Sequence, residues 1–267
     1  MRASIETITP EKATKWLSAT NKRNRNVNKQ LVRRIASDIE NGSWILNGEA
    51  IILNGHDQVI DGQHRLEGVV ASEVPIKSIV VRGAPADAFA TIDCGKSRTP
   101  GDVLGISGIE MGNEIAAALR FLDKYEAGSM KRSNVALSHA ALLSMAKDHP
   151  GMAESANYVR SIGNKGLMTS GCLIFCHYVC SKINKADADD FIKGLVTGEG
   201  LRRGTPLHQL RERLIEARSG NKTRNMRTSD KLAIALKAWN LTREQRNVEF
   251  LAFRSHGRSQ EQFPVAV

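Results

Sequence analysis

Val59-Ile60-Asp61-Gly62-Gln63-His64-Arg65-Leu66 is the stretch on which the fold turns. A β-branched pair runs into Asp-Gly, and the chain then enters a helix whose first turn carries Gln, His and Arg. Leu66, Val69 and Val70 continue that helix as its apolar face. A strand feeding a helix start gathers unpaired backbone N–H groups and the positive end of the helix dipole at one point, which favours an anion. Arg65 adds a guanidinium that can grip phosphate with two parallel hydrogen bonds. His64 can bond a phosphate oxygen or assist proton transfer, and Asp61 can orient Arg65 or hold Mg²⁺. The same residues also fit a helix capped by Asp61 with His64 and Arg65 merely solvated, and spacing alone does not separate the two readings.

Reading outward, Glu49-Ala50-Ile51-Ile52-Leu53 and Gln58-Val59-Ile60 flank the turn Asn54-Gly55-His56-Asp57, which predicts a hairpin. Thr9-Pro10-Glu11 opens an earlier helix that reaches about Ser18: a hydroxyl N-cap, a proline whose missing N–H does no harm, and an acid at the positive end. Asn21-Lys22-Arg23-Asn24-Arg25-Asn26 reads as a basic loop. Leu31, Val32, Ile35 and Ile39 then space a helix that Asn41-Gly42 ends. After the helix over 63–71 come a strand over 75–81 and a short helix from Pro85 to about Ile92. Beyond Pro100 the period is helical, with helices expected near 101–107, 112–127, 134–148, 151–161, 168–182, 186–197, 206–219 and 228–241. Phe263-Pro264-Val265 reads as a short extended piece that could dock. The expected class is therefore α+β: an α/β domain over 1–108 and an all-helical domain over 109–267.

Three basic segments compete for the surplus charge of 38 Lys and Arg over 28 Asp and Glu, a formal +10 in 267 residues. Lys96 and Arg98 stand beside Thr99-Pro100, a capped helix start that reads either as a second anion site or as a plain cap. Arg23, Arg25 and Lys29, followed by Arg33 and Arg34, fit a phosphate-facing loop or a solvated face. Arg202, Arg203, Arg211, Arg213, Arg218, Lys222, Arg224 and Arg227 meet only Glu212 and Glu216 before Asp230. With Leu207, Leu210, Leu214 and Ile215 forming the apolar stripe of one helix, its arginines are expected to project mainly outward; that face fits a solvated helix, while the density of charge over Gly220–Arg227 favours a loop that contacts phosphates. Aromatics are too sparse nearby for base stacking.

No apolar run approaches the length of a membrane helix, and the N-terminus has no apolar h-region, so a cytoplasmic protein is expected. Cys172, Cys176 and Cys180 recur every fourth residue among Leu173, Ile174, Phe175 and Val179. Without a second Cys/His pair they read as small buried side chains rather than zinc ligands. Cys94, between Asp93 and Lys96, reads as a candidate reactive thiol.

Together these segments resemble the ParB/sulfiredoxin-like superfamily over about residues 5–105. The Arg23/Arg25 loop precedes the helix of Leu31 and Ile35. Gly62-Gln63-His64-Arg65 stands where that family carries a strand–Gly-Glu-Arg-Arg–helix box, and Asp93 with Arg98-Thr99-Pro100 is similar to its last motif. The Asp-Gly-Gln-His-Arg string is similar to the box of DNA-modification regulators and to the Asp-Gly-Gln-Gln-Arg box of restriction-associated NTPase domains. The whole chain resembles ParB-like proteins of phages and mobile elements. The resemblance implies a nucleotide, CTP or ATP, held by Gly62, Arg65, Lys96, Arg98, Thr99 and Arg25, with Mg²⁺ at Asp61 and Asp93. It implies Asp61, Gln63 and His64 as catalytic candidates. DNA would lie on Arg23, Arg33, Arg34, Arg202, Arg203, Lys222, Arg224 and Arg227, and the protein would be a homodimer.

Two departures prune that list. Gln63 stands where sulfiredoxins need a nucleophilic Cys, which excludes sulfinic-acid reduction. It also replaces the Glu of CTP-hydrolysing relatives, and an amide cannot act as a general base. No ParB-type helix-turn-helix is evident. Nucleotide-linked DNA binding is the expectation. A metal-dependent nuclease or NTPase/phosphotransferase using Asp61, His64 and Asp93 remains an alternative, as does a protein-binding phage adaptor or inhibitor.

Overall fold

A computed structural model describes the chain apart from residues 20–26, 86–87, 89–91, 93–97, 131–136, 220–225 and 258. The chain divides into two compact units, Met1–Ser97 with Val135–Ala141, and Arg98–Asn134 with Leu142–Val267. Among the described residues all strands fall in the first unit, and the fold is mixed, α+β.

The first unit is built from β1 (Arg2–Ile8), α1 (Pro10–Ala19), α2 (Lys29–Glu40), β2 (Ala50–Asn54), β3 (Val59–Asp61), α3 (Gln63–Ser72) and β4 (Ile76–Ala84). The sheet order is β1-β4-β2-β3. β2 and β3 pair antiparallel around the expected turn, with Ile52 opposite Asp61 and a register shift between Ile52 and Leu53. β2 and β4 run parallel, Ile51 opposite Val80, so β3 and α3 form the crossover between them. Ile8, Trp16, Ile39, Ile51, Leu53, Val59, Leu66, Val69, Ile76 and Val80 make one core. That burial removes apolar side chains from water at both the sheet face and the inner stripes of α1, α2 and α3.

β1 is an element that hydrophobic alternation does not announce. It pairs antiparallel with β4 along its whole length, Ile5 opposite Ile79, yet only Ile8 is buried and Ile5 is 64% exposed. Its inward tie is ionic: Arg82 and Lys12 both engage the Glu6 carboxylate, and the Arg82 guanidinium above all holds that carboxyl well below the usual range.

The second unit holds α4 (Pro100–Ile106), α5 (Gly112–Glu126), α7 (Gly151–Ile162), α8 (Ser170–Ser181), α9 (Lys185–Thr197), α10 (Pro206–Arg218) and α11 (Thr228–Arg243); α6 (His139–Asp148) begins within the first unit's segment. α8 is buried on every side from Gly171 to Cys180, packed by α5, α7, α9 and α11, which is why its sequence has no polar face. Cys172, Cys176 and Cys180 lie inside it, and desolvation by burial pushes all three thiols up.

Within the second unit α4 and α5 approach closely: the backbone of Gly101 in α4 meets α5, and a Cβ at Gly112 would stand 2.5 Å from Gly101 O. Only glycines allow that approach. The helix expected over 85–92 falls largely outside the described residues. No described helix is long and apolar enough to cross a membrane.

Candidate phosphate-binding cavity

The site begins at the turn from β3 into α3. Gly62 is the N-cap of α3, in the left-handed region at φ 93°, and no side chain caps the helix. A Cβ there would lie 3.1 Å from Ile51 Cα, so both conformation and space demand glycine. The first intrahelical bonds run from Arg65 N and Leu66 N to Gly62 O, so the N–H groups of Gln63 and His64 precede the helical ladder. Asp61 therefore does not cap the helix.

Asp61 is engaged by Arg65 instead. Arg65 Nη2 donates to Asp61 Oδ2 at 3.1 Å and lies 3.4 Å from Glu49 Oε2, while Nη1 donates to Ala50 O at 2.7 Å. With its side chain only 15% exposed, this guanidinium ties β2, β3 and α3 together. Its first task is structural, and much of its fork is already filled.

His64 is likewise committed. Its Nε2 accepts the backbone N–H of Asn28 at 3.0 Å. Asn28 is the N-cap of α2, with Oδ1 accepting from Gln30 N and Leu31 N. The box thus holds the start of α2 in place.

A cavity of about 550 Å³ opens at this junction, lined by Gln63 and His64 at the start of α3, by Arg34 and Asp38 of α2, by Trp44 and by Ser138. Trp44 is pinned by its Nε1 donating to Lys77 O at 3.0 Å. Asp38 Oδ1 accepts the Ser138 hydroxyl at 2.6 Å, and Ser138 Oγ in turn accepts Ala141 N at the start of α6. Burial pushes the Asp38 carboxyl up against the lowering pull of Ser138 and of the Arg34 charge.

The box residues Asp61, Gly62, Gln63, His64 and Arg65 are contiguous and meet at this cavity. Arg34, expected on DNA, also lines it, while Arg33 on the same helix is exposed. Arg98 and Thr99 belong to the second unit. Thr99 Oγ1 accepts Asp102 N at 3.1 Å and Thr99 N donates to Asp102 Oδ2 at 2.7 Å, so a carboxylate already occupies the start of α4. Of the two readings open for that segment, the geometry matches the cap. Asp93, Cys94, Lys96, Arg23, Arg25, Lys222 and Arg224 lie outside the described residues.

In the second unit Arg202, Arg203 and Arg227 are exposed. Within α10, Arg213 is half-buried over the Phe250 ring at 5.4 Å, and the exposed Arg218 donates from Nη1 to Lys165 O at 2.7 Å. Their long stems pack while their charged ends are partly used internally. No group of three His, Cys, Asp or Glu side chains able to hold a metal occurs among the described residues.

Two arrangements were not legible in the sequence. One is the Asp38–Ser138 pair. The other is His177 in α8, 2% exposed, stacked 4.7 Å from Tyr158, with Nε2 2.7 Å from Asp189 Oδ1. Lys185 completes that group 2.7 Å from Asp189 Oδ2.

No family model matches the chain, and no curated protein and no solved structure matches it.

Proposed function

We propose that the chain is a ParB-like, phage- or mobile-element-associated protein that binds a nucleotide in its first unit and DNA through exposed arginines. The observation that carries this reading is the left-handed turn at Gly62, which opens the side-chain-uncapped start of α3 beside Arg34 into a cavity of about 550 Å³. Small-molecule sites run from roughly 300 to 1,000 Å³, so a nucleoside phosphate fits. The N–H groups of Gln63 and His64 would receive phosphate oxygens, Arg34 would supply the guanidinium charge, and Trp44 would line the less polar end.

Binding without turnover is the better-supported form. Gln63 offers no base, Asp61 is paired with Arg65, and His64 Nε2 is held by Asn28 N–H. The described residues do not by themselves make a Mg²⁺ site, because the Asp61 carboxylate is taken by Arg65. A metal would arrive with the triphosphate. Arg202, Arg203 and Arg227 are the described candidates for DNA phosphates in the second unit, and Arg33 in the first. We further propose a homodimer acting in the cytoplasm.

Thermal-shift titration with CTP, ATP, GTP, UTP and inorganic pyrophosphate, each with and without Mg²⁺, tests the reading. One nucleotide should stabilise the protein by about 2.7 kcal/mol at a hundredfold excess over its Kd, with no nucleoside diphosphate formed. An unchanged melting curve with every ligand would contradict it.

A further inference from the structure

The segment 263–267 is read through its main chain. Asn240 of α11 donates from Nδ2 to Val265 O at 2.7 Å and accepts Val267 N at its Oδ1 at 3.0 Å. One side-chain amide thus bonds the groups on either side of Ala266, as a neighbouring strand does in a parallel ladder. Ala266 N donates to Tyr125 Oη at 2.9 Å, and Trp239 Nε1 donates to Val267 O at 3.0 Å. Phe263 is the anchor, its ring 6.2 Å from Tyr125 and 6.1 Å from Phe253, both edge-on.

The side chains between these contacts do little. Val265 is 64% exposed and Val267 is 59% exposed. Beside them lies a cavity of about 710 Å³ between Tyr125 and Met130 on one side and, on the other, the departing stretch itself, Gln260 through Phe263 with Val265, whose place an incoming segment would take. Recognition by hydrogen bonds to backbone atoms tolerates many sequences, and specificity then comes from which pockets the side chains fill. The resident segment leaves one such pocket open.

We propose that Tyr125, Trp239 and Asn240 form a peptide-binding site that the chain's own 263–267 segment occupies in cis. The partner it fits is an extended segment of another protein, with an aromatic anchor matching Phe263 and, two residues later, an apolar side chain larger than valine. That side chain would bury itself in the open cavity, an advantage over the tail. Residues 259–267 would then leave the surface.

The test uses the intact chain and a synthetic peptide of residues 259–267 carrying Val265→Phe. Peptide added to the full-length protein should make the tail newly accessible to a nonspecific protease, with a saturable dose dependence. The peptide carrying the native Val265 should need a higher concentration for the same effect. Asn240→Ala removes two hydrogen bonds to the bound segment and should weaken peptide binding by about tenfold. A second measurement needs no displacement. A protease site inserted after Gly257 is cut once the protein has folded, and retention of the fragment is followed by gel filtration and Trp239 fluorescence. Retention and exchange with added peptide support the proposal. Immediate loss of the fragment, peptide binding indifferent to Asn240→Ala, or a tail-dependent dimer in place of peptide uptake would each overturn it.

Discussion

Gly62 and Ile51 are in contact across the turn that opens α3, and that contact fixes the direction in which the helix start points. Gly62→Ala places a Cβ 3.0 Å from Ile51 Cγ1 and holds an L-residue at φ 93°. A loss of about 1–3 kcal/mol is expected, measured by urea denaturation, and an unchanged midpoint would show that the turn relaxes. Arg65 differs from Arg34 at the same scale. Replacing Arg65 unties β2 from α3, so any loss of binding in that variant reports the fold as much as the ligand. His177 makes a prediction in pH. Burial first, against the pull of Asp189, lowers its pKa in the folded protein. The unfolded chain therefore binds a proton that the folded chain resists, and stability falls as pH drops below about 6.5. Asp189, whose carboxyl is lowered by Lys185 and His177, adds a loss in the same direction at more acidic pH. The urea midpoint of the native protein should decline from pH 7 to pH 5, and His177→Phe should flatten that decline. Equal slopes would contradict the assignment.

Capping chemistry explains why most helices were readable. Thr205-Pro206 and Thr99-Pro100 each place a hydroxyl on a backbone N–H and a proline where its missing donor is harmless, and both helices start where that pattern says. Thr99→Ala breaks the reciprocal bonds with Asp102 and should cost about 1 kcal/mol, read by thermal unfolding of the second unit. Thr99→Ser should restore most of it, and no loss would return that helix start to the list of anion sites. β1 was not readable for the opposite reason. An edge strand with one buried residue has no apolar alternation, and its place comes from register with β4 and from the Glu6–Arg82 pair, 76 residues apart. α8 is the intermediate case: the cysteine stripe reads as buried, but the His177–Asp189 pairing it carries spans two helices and has no local pattern.

Across the whole chain, legibility follows sequence distance. The box from Asp61 to Arg65 is contiguous, so a short window contains it. The other wall of the cavity joins Asp38 to Ser138, 100 residues away, and Arg34 sits there rather than among exposed charges only because α2 turns that face toward α3. The net charge of +10 divides in the same way. Some cations fasten the chain to itself, such as Arg65 to Asp61 and Arg82 to Glu6; others, such as Arg202 and Arg203, are exposed. If those two contact DNA phosphates, changing both to Ala should reduce the slope of log K against log salt by about 0.9 for each lost contact. A slope unaltered by the double change would remove them from the interface.

The central claim is that a phosphate-bearing ligand sits at the start of α3 with Arg34 as its guanidinium partner. Isothermal titration calorimetry of the nucleotide selected by thermal shift, run on the native protein, Arg34→Ala and Arg33→Ala, tests it most directly. The expected result is saturable one-site binding that weakens at least about tenfold in Arg34→Ala, the scale of one lost charge-assisted hydrogen bond, and is unchanged in Arg33→Ala. Equal affinity in all three proteins, or no binding by the native one, would contradict it.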